Sequence, residues 1–132
     1  ARLISLMNEA QQLQHFITEV GFSKAALMGE SGFLISFTST NFTLATDYFL
    51  AGRGQDAAKL AAISADFDGL IATFKEAVGS TAHMDGAFDK LFCRVHDPKF
   101  PLRLLPPYEG VSVERFDRYV ELLRMNHPNW LP

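Results

Sequence analysis

The sequence contains one cysteine, Cys93, and no long apolar run among its 132 residues. One cysteine cannot form a disulfide within the chain, so nothing indicates an oxidising compartment. A membrane-spanning helix needs roughly 18–20 consecutive apolar residues, and no stretch reaches that length. The first residues enter an amphipathic pattern instead of the apolar core of a signal peptide. These absences predict a soluble, cytoplasmic protein with no membrane partner.

Positive charge is also scarce. The chain carries 12 lysines and arginines against 15 aspartates and glutamates, which gives a net charge of −3. Binding to nucleic acid requires clustered basic residues that neutralise phosphates, and here the basic residues are scattered. The sequence therefore predicts no nucleic-acid partner.

Motifs for metal binding and catalysis are sparse. Cys93 and His96 have the spacing of half a zinc site, but residues three apart on a strand point to opposite faces, and zinc needs converging ligands. Asp66 and Asp68 lie on the polar side of a predicted helix, where solvated carboxylates serve solubility better than acid–base chemistry. We therefore predict that the protein is not an enzyme and needs no metal and no cofactor.

Three stretches have the apolar spacing of three and four that is typical of helices: 3–20, 60–78 and 116–123. Asp56 and Ser112 precede the second and third stretches, and each can accept hydrogen bonds from the amides of a first helical turn. The residues expected to end these helices are Gly21, Gly79 and Pro128.

The remaining stretches favour strands, since apolar residues alternate or form short runs in 24–28, 33–38, 42–50, 91–95 and 100–104. Ser, Thr and Asn residues between the second and third of these compete for backbone hydrogen bonds and disfavour a helix. The predicted fold is a single α+β domain over residues 1–132, an antiparallel sheet with three helices in the order α-β-β-β-α-β-β-α.

The element order, the size, the acidic balance and the segment from Phe100 to Trp130 resemble the small dimeric chaperones of bacterial type III secretion systems. That resemblance implies a non-catalytic homodimer that holds an extended effector segment of a protein partner, by strand addition and side-chain pockets. The residues that would then contact the partner from the sheet are Phe33, Phe37, Phe42 and Leu44. The residues that would form the dimer interface, on the second predicted helix, are Leu60, Ile63, Phe67 and Leu70. Either set could instead belong to the core.

Two other families resemble parts of the chain. Residues 20–35 are similar to the first helix end and opening hairpin of roadblock-type domains, which implies a GTPase regulator or scaffold. Residues 47–52, Asp-Tyr-Phe-Leu-Ala-Gly, are similar to a helix end in the ligand-binding sensor domains of bacterial receptors, which are helical bundles. The sensor interpretation requires residues 33–50 to be helical, whereas the chaperone interpretation requires them to be extended.

Overall fold

The computed structural model describes residues 2–79 and 85–132. Within them the chain forms six α-helices and one pair of short parallel strands. The helices are α1 (Arg2–Glu9), α2 (Glu19–Ala26), α3 (Phe42–Arg53), α4 (Ala57–Val78), α5 (Asp85–His96) and α6 (Val113–Asn126). The strands are β1 (Phe16–Ile17) and β2 (Gly32–Phe33), and two 3₁₀ turns cover Phe37–Ser39 and Pro128–Trp130.

The chain divides into two compact units. The first unit comprises residues 1–35 and 43–68, and the second comprises 36–42 and 69–132. The assignment of residues 1–132 to one domain stays a prediction.

The predicted α+β fold with an antiparallel sheet is wrong, and the error centres on residues 42–50. These residues lie in α3, whose buried side is formed by Ala45, Tyr48, Ala51 and Gly52 at helical spacing. Three of those four residues are alanine or glycine, which contribute little to a hydrophobic pattern. The alternation of the larger residues around them therefore resembled a strand.

The predicted strand over 33–38 is reduced to the short strand that ends at Phe33. The polar residues after it do avoid regular helix, as expected: they form the 3₁₀ turn, where the Ser39 hydroxyl donates to the Ser36 carbonyl over 3.2 Å. Helix α3 begins directly after this polar stretch. The polar residues therefore disfavour an α-helix within the turn, but they do not prevent one from beginning at Phe42.

The single helix predicted over 3–20 is two helices with β1 between them. Gly21, the predicted stop, lies inside α2. A Cβ there would approach Ile17 Cγ2 to 2.8 Å and Leu3 Cδ2 to 3.5 Å. Gly21 therefore permits close packing between elements and does not end a helix, and α2 continues into the predicted strand at 24–28.

The predicted strand over 91–95 is also wrong, because these residues lie in α5. Ala87, Leu91 and Phe92 are all buried, and a strand with one buried face could not bury two adjacent residues. The predicted strand over 100–104 forms no ladder within the described part of the chain. Its carbonyls instead accept hydrogen bonds from α5 side chains, Arg94 to Phe100 and Lys90 to Arg103.

The predicted helix boundaries at Asp56, Ser112 and Gly79 are confirmed. Asp56 Oδ1 accepts a 2.9 Å hydrogen bond from the Lys59 amide, and Ser112 Oγ accepts one of 3.3 Å from the Arg115 amide. Gly79 follows α4 directly. Capping residues act through neighbouring backbone groups, so the local sequence identified them correctly.

The core of the first unit is built around Tyr48, which is fully buried on α3. Its ring lies 5.1 Å from Phe22 and 5.2 Å from Phe67 between centroids. Its hydroxyl accepts a hydrogen bond from the Ser23 amide and donates one to the Glu19 carbonyl, both over 3.1 Å. In a regular α-helix the Ser23 amide would donate directly to the Glu19 carbonyl, which is four residues earlier. Tyr48 therefore packs against α2 and also hydrogen-bonds to its backbone.

The core of the second unit is an aromatic cluster. Phe92 lies 4.6 Å from Phe37, 5.7 Å from Phe74 and 6.3 Å from Tyr119 between ring centroids. Tyr119 is fully buried, and its hydroxyl has no hydrogen-bond partner among the described residues. Burial raises the pKa of Tyr119 well above its ordinary value, since the charged phenolate would be desolvated.

The two buried tyrosines give a matched prediction. Tyr48→Phe should lower the free energy of unfolding by about 1–3 kcal/mol, because it removes a buried hydroxyl that serves both a donor and an acceptor. Tyr119→Phe should leave the stability unchanged or raise it slightly, because its hydroxyl is buried without a partner. Urea denaturation of the two variants measures the difference. If both variants lost the same free energy of unfolding, the Tyr48 hydrogen bonds would make no contribution to stability of their own.

Candidate binding site

The two short strands of the first unit create an apolar surface. The Gly32 amide donates to the His15 carbonyl over 2.7 Å, and the Leu34 amide donates to the Ile17 carbonyl over 3.0 Å. Phe16 pairs with Gly32 and Ile17 with Phe33. Paired residues of a parallel ladder point to the same face, and residues two apart on a strand share a face. Phe16, Gly32 and Leu34 therefore form one face, which we call the outer face.

The two faces of the strand pair differ in burial. On the inner face, the Phe33 ring lies 4.5 Å from Phe22 and 5.4 Å from Tyr48 between centroids, so it joins the aromatic core. On the outer face, Phe16 is 64% exposed and Leu34 is 61% exposed. Two large exposed apolar side chains on one face form a candidate interaction surface.

The backbone of β1 also has an outward edge. In this ladder Ile17 directs its backbone groups toward β2, because its carbonyl accepts from the Leu34 amide. Successive residues of a strand direct these groups to opposite sides, so the N–H and C=O of Phe16 point away from β2. The outer face therefore lies beside an edge to which another extended segment can pair.

A pocket of about 280 Å³ lies between the C-terminal parts of α2 and α3. Its apolar floor is formed by Phe22 and Ala26 of α2 and by Phe49 and Gly52 of α3. The rings of Phe22 and Phe49 are stacked, with centroids 6.3 Å apart and 27° between their planes. The floor of the pocket is thus partly aromatic.

Gly52 determines how closely the two helices approach at this pocket. A Cβ on Gly52 would lie 2.7 Å from Phe22 Cζ and 3.0 Å from Ala26 Cβ. Beyond the helix end, Gln55 has a φ of 54°, and its side-chain amide donates to the Ala26 carbonyl. The close contact at Gly52 and the Gln55 hydrogen bond hold the ends of α2 and α3 together around the floor.

The rim of the pocket is polar. Arg53 Nη1 lies 3.7 Å from Glu30 Oε1, and their side chains are 63% and 80% exposed. Ser31 also lines the pocket, and its Oγ is buried with no hydrogen-bond partner within residues 2–79 and 85–132. The pocket therefore joins apolar and polar lining groups in similar measure, and ligand sites use both kinds.

Four residues were predicted to contact a partner together from one sheet. In the structure they lie in different elements and do not share a surface of that kind. Phe33 is on β2 with its ring half-buried, and Leu44 is half-buried on α3, both in the first unit. Phe37 is buried against Phe92 in the second unit, where Phe42 is the exposed first residue of α3. The common sheet on which they were placed does not exist, because residues 37–50 form a turn and a helix.

The four residues predicted for a dimer interface lie on α4, as expected, and all are buried within the chain itself. The exposed fractions of Leu60, Ile63, Phe67 and Leu70 are at most 5%. The first three belong to the first unit and Leu70 to the second. Their role in a dimer stays a prediction, and in this conformation they have almost no surface left for a second chain.

Sequence reasoning missed Phe16, Leu34, Glu30 and Arg53. One signal for Phe16 was present, since it lay off the apolar stripe of the helix predicted over 3–20. An aromatic residue outside such a stripe is either exposed or in a different element. Glu30 and Arg53 are brought together only by the packing of α2 on α3, so no local pattern could have paired them.

The described residues contain no group of three or more His, Cys, Asp or Glu side chains that could hold a metal ion. Cys93 is half-buried, and His96 Nε2 donates to the Thr40 carbonyl over 2.8 Å. His83 falls outside the described residues.

Over the described ranges, each helix is too short or too polar to cross a lipid bilayer. The comparisons with known proteins return no match: no family model, curated protein or solved structure is similar to the chain. The residues and geometry of the first unit are therefore the basis for a functional assignment.

Proposed function

We propose that the chain is a non-catalytic binding module that holds an extended segment of a protein partner against the outer face of β1 and β2. The exposure of Phe16 and Leu34 on one face carries this proposal. Burying an exposed phenylalanine or leucine side chain contributes about 1.5–3 kcal/mol. A partner that covers both side chains on the strand pair therefore gains a favourable free energy.

The outward edge of β1 favours a partner segment that is extended and not one that is helical. A segment that pairs with the outward N–H and C=O of Phe16 gains main-chain hydrogen bonds, and its alternate side chains fall on the outer face. Affinity then comes from the backbone and from apolar contact, while the side chains set specificity.

This proposal retains part of the secretion-chaperone interpretation. That resemblance rested on an element order that the chain does not have, but its extended partner fits the strand pair. A cytoplasmic location remains part of the proposal, supported by the lone cysteine. The roadblock interpretation is less favoured, because β2 pairs with β1 in parallel and does not open an antiparallel hairpin.

The test is selection of binding peptides from a random displayed library, followed by affinity measurement with variants. Phe16→Ser combined with Leu34→Ser should weaken the selected peptides at least tenfold, since it removes the apolar contacts of the outer face. Leu50→Ser is the matched control, because Leu50 is 56% exposed in the same unit but lies on α3. Hydrogen exchange should show the Phe16 amide protected only when a peptide is bound.

Peptides whose affinity is the same for the wild-type protein and for the double variant would contradict the proposal. The proposal would also be contradicted if the selection gave no peptide that binds the wild-type protein but not the double variant. Circular dichroism of the double variant, expected to match the wild type, shows that any lost binding does not come from unfolding.

The pocket favours a second candidate function, that of a helical ligand-binding domain. Residues 42–50 are helical, which the sensor interpretation requires, although residues 33–41 are not. The observation specific to this candidate is the apolar floor with its charged rim.

A further inference from the structure

We infer that the pocket between α2 and α3 binds a free amino acid with a large apolar side chain. In this arrangement the side chain lies on the Phe22–Phe49 floor, the ammonium group pairs with Glu30 and the carboxylate pairs with Arg53. The site is separate from the outer face, so this inference does not depend on the proposed protein-binding function; it rests on the second candidate function and names its class of ligand.

The size of the pocket restricts the ligand. Sites for drug-sized molecules usually have volumes of about 300–1,000 Å³. At about 280 Å³ this pocket lies just below that range, which suits a ligand of amino-acid size.

The floor selects an apolar group. Phe22 is 1% exposed and Ala26 is 4% exposed, so they form the packed base of the pocket and leave little surface of their own. Phe49 is half-buried and stacks against Phe22. An aliphatic or aromatic side chain placed there covers the exposed part of the Phe49 ring, whereas a charged group would be desolvated without a partner.

The rim selects a ligand that carries both charges. A ligand with one charge would satisfy either Glu30 or Arg53 and repel the other, while a zwitterion satisfies both. The ammonium and carboxylate of an amino acid are joined through one carbon, so such a ligand brings both charges within reach of Glu30 and Arg53, whose side chains meet across 3.7 Å without it. The planar guanidinium can also hold a carboxylate by two parallel hydrogen bonds.

The existing ion pair is easily divided by such a ligand. Both side chains are mostly exposed, and exposed ion pairs contribute little to stability. Separating Glu30 from Arg53 therefore loses little, and each gains a charge-assisted hydrogen bond to the ligand.

Isothermal titration calorimetry with L-leucine and L-phenylalanine tests the inference. We expect one or both to bind, and L-alanine, N-acetyl-L-leucine and L-leucinamide to bind at least about tenfold more weakly, since each lacks one of the three recognised groups. Glu30→Gln and Arg53→Gln should each weaken the best ligand by about tenfold or more. The matched controls are Asp47→Asn and Lys59→Gln, which remove another exposed ion pair of the first unit and should leave the affinity unchanged.

Three results would overturn the inference. The first is no detectable binding of either amino acid up to about 10 mM, a concentration tenfold above a dissociation constant of about 1 mM. The second is equal affinity for leucine and its N-acetyl or amide derivative. The third is equal affinity in the rim variants and the wild type. Phe16→Ser with Leu34→Ser should keep amino-acid binding, so failure of the docking surface and failure of the pocket are distinguishable.

Discussion

Replacing Phe67 with alanine should lower the free energy of unfolding by about 3–5 kcal/mol. Phe67 is 1% exposed on α4, and its ring lies 5.2 Å from Tyr48, the residue around which the first unit packs. The substitution removes the contacts of a whole ring and leaves a cavity that α3 and α4 can fill only in part. Urea denaturation followed by circular dichroism measures the loss.

Leu6→Ala is the control for this substitution, because Leu6 is 55% exposed on α1 and its truncation should change stability by at most about 0.5 kcal/mol. Sedimentation of the Phe67→Ala variant separates the two roles considered for the residue. A variant that stays as stable as the wild type but dissociates into smaller particles would contradict the core assignment and support the predicted dimer interface.

Replacing Gly110 with alanine should lower the stability of the second unit by about 3 kcal/mol or more. A Cβ at this position would overlap the Leu102 carbonyl oxygen and lie 3.2 Å from Arg103 Cα. The obstacle is backbone, which cannot rotate away as a side chain can. The segments around Leu102 and Gly110 would have to separate, and the burial of Leu102 and Val111 would be lost with them.

Gly86→Ala is the matched control in the same unit. Among the described residues its Cβ would meet only Leu104 Cδ2 at 4.0 Å, and the residue lies in α5, where alanine is a better helix former than glycine. Thermal denaturation should therefore show Gly110→Ala melting well below the wild type and Gly86→Ala at or above it. Similar melting temperatures for the two variants would show that the backbone contact at Gly110 is not a constraint.

The helices with a wide apolar stripe or a capping residue could be predicted from the sequence. Helix α4 has large apolar residues at helical spacing and a cap at Asp56, and α6 has its cap at Ser112. These signals are local, because they depend on residues within one or two turns of each other. The sequence therefore identified both elements and most of their limits.

Helix α3 could not be predicted in the same way, because its buried side is made of small residues around Tyr48. Ala51 and Gly52 are buried since α2 packs closely there, and that closeness is a tertiary property. A pattern of large apolar residues shows only the alternating residues of 42–50 and not the small buried residues beside them. The predicted sheet depended on that pattern and was wrong for this reason.

The candidate sites were even less accessible to sequence reasoning. The outer face depends on the pairing of β1 with β2, two strands of only two residues separated by α2. The pocket depends on Gly52 and on the meeting of Glu30 with Arg53, which are 23 positions apart in sequence. Neither arrangement has a motif, since each arises from helix packing.

Nuclear magnetic resonance measurement of the backbone chemical shifts of residues 42–53 tests the helical account most directly. Both sites require α3, because it carries Tyr48 beneath the strand pair and Phe49 in the pocket floor. We expect an uninterrupted series of helical Cα shifts from Phe42 to Arg53. Extended-strand shifts through this stretch would contradict both sites at once and would instead favour the antiparallel sheet.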